Sequence, residues 1–265
     1  MKQARLQAHR GVSSEYPENT LSAFRAAVQE GYDIVELDTK FTSDDMCVIL
    51  HDRTLNRTGR TADGLPLPDA TEIKDCTLDM VRSLDYGIWK DEKFRGEKIP
   101  TLAEALLFAA QNKIAFKFDN VWETFPEYQQ DLFLKEIKNA ALGHKVGFTC
   151  RRLDTFAKVA QNFPEAELHW DGSSDKESLE EVSKIAGKHR LTVWLCFDNE
   201  KAKWFKGPRA TKELCDTVRA YGEVGIWILS KPEELIRAVT ELEADAIETN
   251  GQIKPYMLKD LTKLT

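Results

Sequence analysis

His9-Arg10-Gly11, Glu36-Leu37-Asp38 and His51-Asp52 place two imidazoles and a pair of carboxylates near the start of the chain. Each group falls at or near the end of a short run with strand character. Glu36 and Asp38 are two residues apart, so on a strand both side chains point to one face. Carboxylates that close repel unless a proton or a cation lies between them. A divalent cation there would act as a Lewis acid, and the two histidines would supply both halves of a general acid–base pair.

Blander roles compete with this chemistry. A lone histidine at a strand end is more often structural, here beside Arg10. His9 and His51, however, each close a strand and each precede a charged residue, and in a parallel barrel both would project to one rim. Glu36 and Asp38 fit an exposed edge strand as well. On a barrel strand their face is interior, where unpaired carboxylates cost several kcal/mol. Mg²⁺ or Ca²⁺ is the simplest compensation, since the donors are oxygens and no cysteine is near; buried ion pairs with Arg10 or Lys117 are the alternative. In Pro17-Glu18-Asn19-Thr20, Thr20 suits a helix cap. Glu18, on the loop after His9, is either a ligand or an orienting group for a histidine.

The elements that would hold these residues alternate. Strand character marks Leu6–His9, Ile34–Phe41, Cys47–His51, Ile114–Phe118, Lys145–Cys150, Glu167–Trp170, Thr192–Phe197, Glu223–Leu229 and Ala246–Thr249. Helical periodicity marks Thr20–Gly31, Leu102–Gln111, Pro126–Leu142, Leu153–Asn162, Lys176–His189, Thr211–Tyr221 and Pro232–Leu242. Thr101 with Glu104 has capping-box spacing, and Pro232 with Glu233 suits a first turn. About eight βα units predict a single α/β domain over 1–265, a closed TIM (β/α)8 barrel. No GxGxxG or GxxxxGKS loop points to a nucleotide. Residues 53–95, rich in Asp, Gly, Pro and Arg, read as a small insertion with too little apolar content for a core of its own, overhanging the rim where barrel sites are built.

Composition narrows the partners. The 265 residues carry a formal net charge of −7, with 42% hydrophobic and 31% charged residues. That balance argues against nucleic acid, whose binders show a basic face. Five scattered cysteines without a CxxC pair suggest a reducing compartment. Without an apolar N-terminal core or an 18-residue apolar run, a cytoplasmic protein with no stable membrane insertion is the default expectation. A homo-oligomer is left open.

His9-Arg10-Gly11, Pro17-Glu18-Asn19-Thr20, Ala23-Phe24, Gly31, Glu36-Leu37-Asp38, His51-Asp52, Leu55-Asn56-Arg57-Thr58 and Ile99-Pro100-Thr101-Leu102 with Glu104 together resemble the glycerophosphodiester phosphodiesterase family. The match is dense over residues 7–104 and thins afterwards to barrel rhythm, Trp227 on the seventh strand and Ala246-Ile247-Glu248-Thr249 on the last. The resemblance implies a metal-dependent phosphoric diester hydrolase of lipid metabolism that splits a small-molecule glycerophosphodiester into an alcohol and glycerol 3-phosphate. It implies His9 and His51 as the acid–base pair, Glu36 and Asp38 as metal ligands, Arg10 on the phosphate and Glu18 close to the metal. One departure stands out. The family's third strand carries Glu-x-Lys, whereas this chain reads Ile114-Ala115-Phe116-Lys117-Phe118-Asp119-Asn120. Ala115 offers no donor, so Asp119 is expected to supply the third carboxylate, with Lys117 deeper, near Glu36 and the phosphate. A salt bridge from Lys117 to Glu36 or Asp38 is the competing arrangement. Trp170 and Trp227, near strand ends, would wall the substrate pocket and hold a quaternary ammonium by cation–π contact; Trp194 is expected in barrel packing. Two other outcomes compete: the same site acting on another phosphodiester such as a lysophospholipid, and a non-catalytic phosphodiester-binding protein.

Overall fold

The computed structural model describes residues 4–264. Eight parallel strands close in the order β1-β10-β9-β8-β7-β6-β5-β2. They are β1 (Arg5–His9), β2 (Ile34–Leu37), β5 (Ala115–Phe118), β6 (Val146–Cys150), β7 (Glu167–Trp170), β8 (Leu191–Cys196), β9 (Glu223–Leu229) and β10 (Ala246–Thr249). Helices α1 (Leu21–Glu30), α3 (Leu102–Gln111), α4 (Glu127–Ala140), α5 (Leu153–Asn162), α6 (Lys176–Ala186), α7 (Lys212–Arg219), α8 (Pro232–Thr240) and α9 (Pro255–Leu264) follow the strands in turn. This is the expected (β/α)8 barrel. Apolar residues facing outward from the strands, among them Phe116, Phe118, Phe148 and Ile226, join the inward faces of the helices in one continuous core.

Local signals act as their chemistry dictates. Thr20 caps α1 by accepting from the Ala23 amide at 3.3 Å. Thr101 and Glu104 complete a reciprocal capping box on α3. All five cysteines are buried and unpaired. Among the described residues, no helix is long and apolar enough to cross a membrane.

Two expectations change. Ile34–Phe41 is not one strand: β2 ends at Leu37, and β3 (Thr39–Phe41) pairs antiparallel with β4 (Cys47–Ile49) in a ribbon outside the barrel. His51 therefore reaches the rim from that ribbon and not from a barrel strand. The excursion also extends beyond 53–95. It holds a short helix, α2 (Leu78–Ser83), over a satellite cluster that takes Val48 and Leu50 from the ribbon and Ile99 from the exit, with Leu55, Ile73, Cys76, Val81 and Tyr86 between. Asp85 ties this segment together by accepting from the amides of Gly87 at 2.8 Å and Ile88 at 2.9 Å. The Lys90 ammonium donates to the Ser13 carbonyl at 2.7 Å, which pins the excursion to the β1–α1 loop.

The barrel interior is polar. At the N-terminal end, Arg5 donates to Glu167 at 2.5 Å and to Glu223 at 3.0 Å. Higher up, the Trp194 indole donates to His169 Nδ1 at 3.1 Å. Trp194 has this room because a β-carbon on Gly225 would fall 2.6 Å from its ring. Burial, aided by Lys117, Arg5 and Arg190, holds the His169 pKa well below its ordinary value of 6.5. Below that pH the unfolded chain takes up a proton that the folded chain refuses. Stability should therefore fall with acidification, this residue contributing up to about 1.4 kcal/mol per pH unit. Urea titrations at neutral and acidic pH should show that contribution vanish in His169→Gln; an unchanged slope would contradict it.

Candidate active site

The C-terminal ends of the strands enclose a cleft of about 490 Å³. His9, Arg10, Glu36, Asp38, His51, Lys117, Asp119 and Trp227 line it, all of them singled out by the sequence. Register explains the assembly: His9 pairs with Glu36 across β1–β2, and Glu36 with Lys117 across β2–β5.

The His9-Arg10-Gly11 turn is a constrained piece of backbone. Arg10 and Gly11 both have left-handed φ, 58° and 79°. A β-carbon on Gly11 would lie 2.7 Å from that of Ala23, so only glycine lets the turn sit on α1. Gly11→Ala should cost roughly 1–3 kcal/mol through strain and clash, read as a lowered Tm. The turn sends the Arg10 guanidinium to Glu18 at 2.9 Å and to Asp38 at 3.2 Å. Asp38 also accepts from the Asn19 amide at 2.9 Å. Burial works against the Asp38 carboxylate, yet Arg10, His51, His9 and Asn19 hold its pKa below the usual range.

Each histidine is fixed through Nδ1. His9 Nδ1 donates to Asn250 Oδ1 at 2.6 Å, leaving Nε2 3.8 Å from Glu36. Burial lowers the His9 pKa, outweighing the opposing pull of Glu248. His51 Nδ1 donates to Asp52 at 2.6 Å. Asp52 in turn accepts from Arg57 at 2.6 Å, and Arg57 donates to Glu18 at 2.7 and 2.8 Å. Glu18 bridges Arg10, which it shares with Asp38, to Arg57 and so links the rim loop to the excursion that carries His51.

The remaining carboxylates carry strain of like charge. Burial, then Asp38, Glu248 and Asp119, push the Glu36 pKa well up. Burial and Asp38 raise that of Asp119, which also accepts from the Val121 amide at 3.2 Å. Asp171, across the cleft beside Asn120, is pushed up to about 7 by burial against the opposing Arg151. Among the described residues, no three His, Cys, Asp or Glu side chains gather closely enough to hold a metal ion as they stand. Instead the cations Arg10 and Lys117 lie among the carboxylates.

Three placements depart from the sequence expectations. The Lys117 ammonium pairs with neither Glu36 nor Asp38 but with Glu248 on β10, at 3.3 Å, and lies 4.1 Å over the Trp194 ring. Trp194, expected as packing, is therefore also part of the cleft wall. Trp170 is buried beneath α5, edge-on to Phe156 at 5.7 Å, and does not line the cleft. The strand period is the reason: His169 and Asp171 point inward, so Trp170 points to the helices. Glu248, Asn250 and Asp171 were missed as site residues, although strand period places Glu248 inward and Asn250 follows the last strand. Trp204 and Phe205, on a loop after β8, also line the cleft and pack against Trp227, Trp204 tilted at 6.0 Å and Phe205 edge-on at 5.1 Å between centroids.

Comparison with known proteins follows the same chemistry. The model of the glycerophosphoryl diester phosphodiesterase family matches residues 9–220. A glycerophosphodiester phosphodiesterase of Caldanaerobacter subterraneus is 45% identical over 97 residues, 37% of each chain. Glycerophosphodiester phosphodiesterase 1 of Homo sapiens is 40% identical over 116 residues, 42% of this chain and 32% of that one. The matched stretch thus spans well under half of these curated relatives. Among solved structures, the glycerophosphodiester phosphodiesterase of Thermotoga maritima aligns over 100% of both chains, with a TM-score of 0.63 and 23% identity. An Oleispira antarctica phosphodiesterase in complex with the product sn-glycerol-3-phosphate aligns over 98% of this chain and 97% of its own, with a TM-score of 0.69 and 20% identity. These structural likenesses carry the fold; the family match, over most of the chain and starting at His9, carries kinship. The chain belongs to the glycerophosphoryl diester phosphodiesterase family.

Proposed function

We propose that the protein hydrolyses glycerophosphodiesters to an alcohol and glycerol 3-phosphate. The observation that carries this reading is the convergence of two oriented histidines, Arg10 and buried carboxylates in one cleft of a family member. His9 is the base: its lowered pKa keeps it neutral near pH 7, and its bond to Asn250 leaves Nε2 to accept a proton. His51, oriented by Asp52, is the acid that protonates the leaving alcohol. Arg10 turns from its carboxylates to the phosphate oxygens, and Lys117 adds positive charge below.

Glu36, Asp38 and Asp119 are the proposed ligands of a divalent cation, Mg²⁺ or Ca²⁺. The donors are carboxylate oxygens, which suit a hard ion: Glu36 and Asp38 are buried and Asp119 half-buried, and burial, reinforced by the like charge of Asp38, raises Glu36 and Asp119, a cost that a cation would relieve. Bound there, the ion would neutralise phosphate charge as a Lewis acid. The test is release of glycerol 3-phosphate from glycerophosphocholine with Mg²⁺ or Ca²⁺ and its loss with a chelator. Substrate binding without turnover would instead favour a binding protein on the same fold.

A further inference from the structure

We propose that the loop between β8 and α7 docks the mouth of the cleft onto a bilayer surface containing anionic phospholipid. Residues 197–211 read Phe-Asp-Asn-Glu-Lys-Ala-Lys-Trp-Phe-Lys-Gly-Pro-Arg-Ala-Thr, four cations against two acids in a chain of net charge −7. At the tip stands Trp204, 70% exposed, the most exposed large apolar side chain among the described residues. Lys203 and Lys206 are exposed on either side of the Trp204-Phe205 pair, Lys203 in a solvent-exposed ion pair with Glu200.

The loop is tied rather than loose. Arg209 donates to the carbonyls of Ala202 at 2.8 Å and Phe205 at 2.9 Å, and its guanidinium lies 5.3 Å over the Phe205 ring. Asn199 donates to the Ile228 carbonyl at 3.0 Å, and the Ala210 amide to Cys196 at 2.8 Å. Trp204 rests against Trp227 at 6.0 Å between centroids. A built scaffold thus presents an indole to solvent between two lysines. An indole favours the headgroup layer, and flanking lysines are attracted to anionic headgroups while their stems cover apolar surface. The loop's excess of cations complements anionic headgroups and the indole seats in the headgroup layer, which together name an anionic bilayer as the occupant. Trp204, Phe205 and Trp227 are also walls of the cleft that holds His9 and Asp38, so docking would set that cleft against the lipid. An amphiphilic phosphodiester would then enter from the bilayer; that last step rests on the proposed hydrolysis, whereas docking does not.

Co-sedimentation of the whole chain with phosphatidylglycerol–phosphatidylcholine vesicles, compared with phosphatidylcholine alone, tests the proposal. Binding is expected to the anionic vesicles and to weaken with salt. Trp204→Ala should lower the partition coefficient at least about tenfold. Lys203→Ala with Lys206→Ala should lower it by about fivefold per lysine, with hydrolysis of soluble glycerophosphocholine unchanged. Equal partition onto neutral vesicles, or undiminished binding by Trp204→Ala, would overturn the proposal. A Trp204-dependent dimer without vesicle binding would also overturn it by assigning the patch to a second copy. Vesicle binding by a protein without hydrolytic activity would keep the docking and remove the proposed function.

Discussion

Replacing His9 with alanine is expected to lower kcat on glycerophosphocholine by about 10²–10⁴-fold, the contribution of a positioned general base. Folding should suffer little, because the substitution removes one side-chain hydrogen bond, to Asn250, worth about 1 kcal/mol. The Asn250 variant separates base from positioning. Asn250→Leu keeps the imidazole but frees its ring and tautomer, so kcat should fall by roughly 10–100-fold with KM little changed. If His9→Ala retained full activity, the assignment of the base would be wrong. If Asn250→Leu matched wild type, the imidazole would be held by Glu36 and packing alone.

The barrel and half the site were legible because their signals are local. Capping residues, strand period and the spacing of His9, Glu36, Asp38 and His51 all lie in short windows, and the same windows carry the family resemblance. What was not legible depends on contacts far apart in the chain. Glu248 lies 131 residues from Lys117, and nothing local marks it as the lysine's partner. Barrel closure decides this, by placing β10 next to β1 and turning Gln7 and Glu248 inward together. The ribbon that carries His51 misled for a related reason. Cys47–Ile49 has the same apolar character as a parallel strand, and only its antiparallel pairing with Thr39–Phe41 takes it out of the barrel. Nearness to the strand end does not expose Trp170, because the alternation with His169 turns it outward against α5.

Lys117 and Glu248 offer the largest expected effect on stability. Their side chains are 6% and 7% exposed, and the ammonium is shared between the carboxylate and the Trp194 face. Removing one member of such a pair leaves the other charge buried and uncompensated, typically at 3–5 kcal/mol. Lys117→Met should therefore lower stability by about that amount, more than a surface pair would, since it also removes the cation that opposes the raised Glu36 and Asp119. Glu248→Gln, added to Lys117→Met, should restore about half or more of the loss, because a neutral amide can still accept from Gln7 without demanding a counter-charge. Activity should not return with it if Lys117 serves the phosphate. Chemical denaturation of the two single variants and the double variant gives the coupling directly. A double variant as stable as wild type yet slow would assign Lys117 to the chemistry. One that recovers both stability and rate would make the Lys117–Glu248 pair purely structural. A Lys117→Met protein as stable as wild type would overturn the stabilising role of the pair.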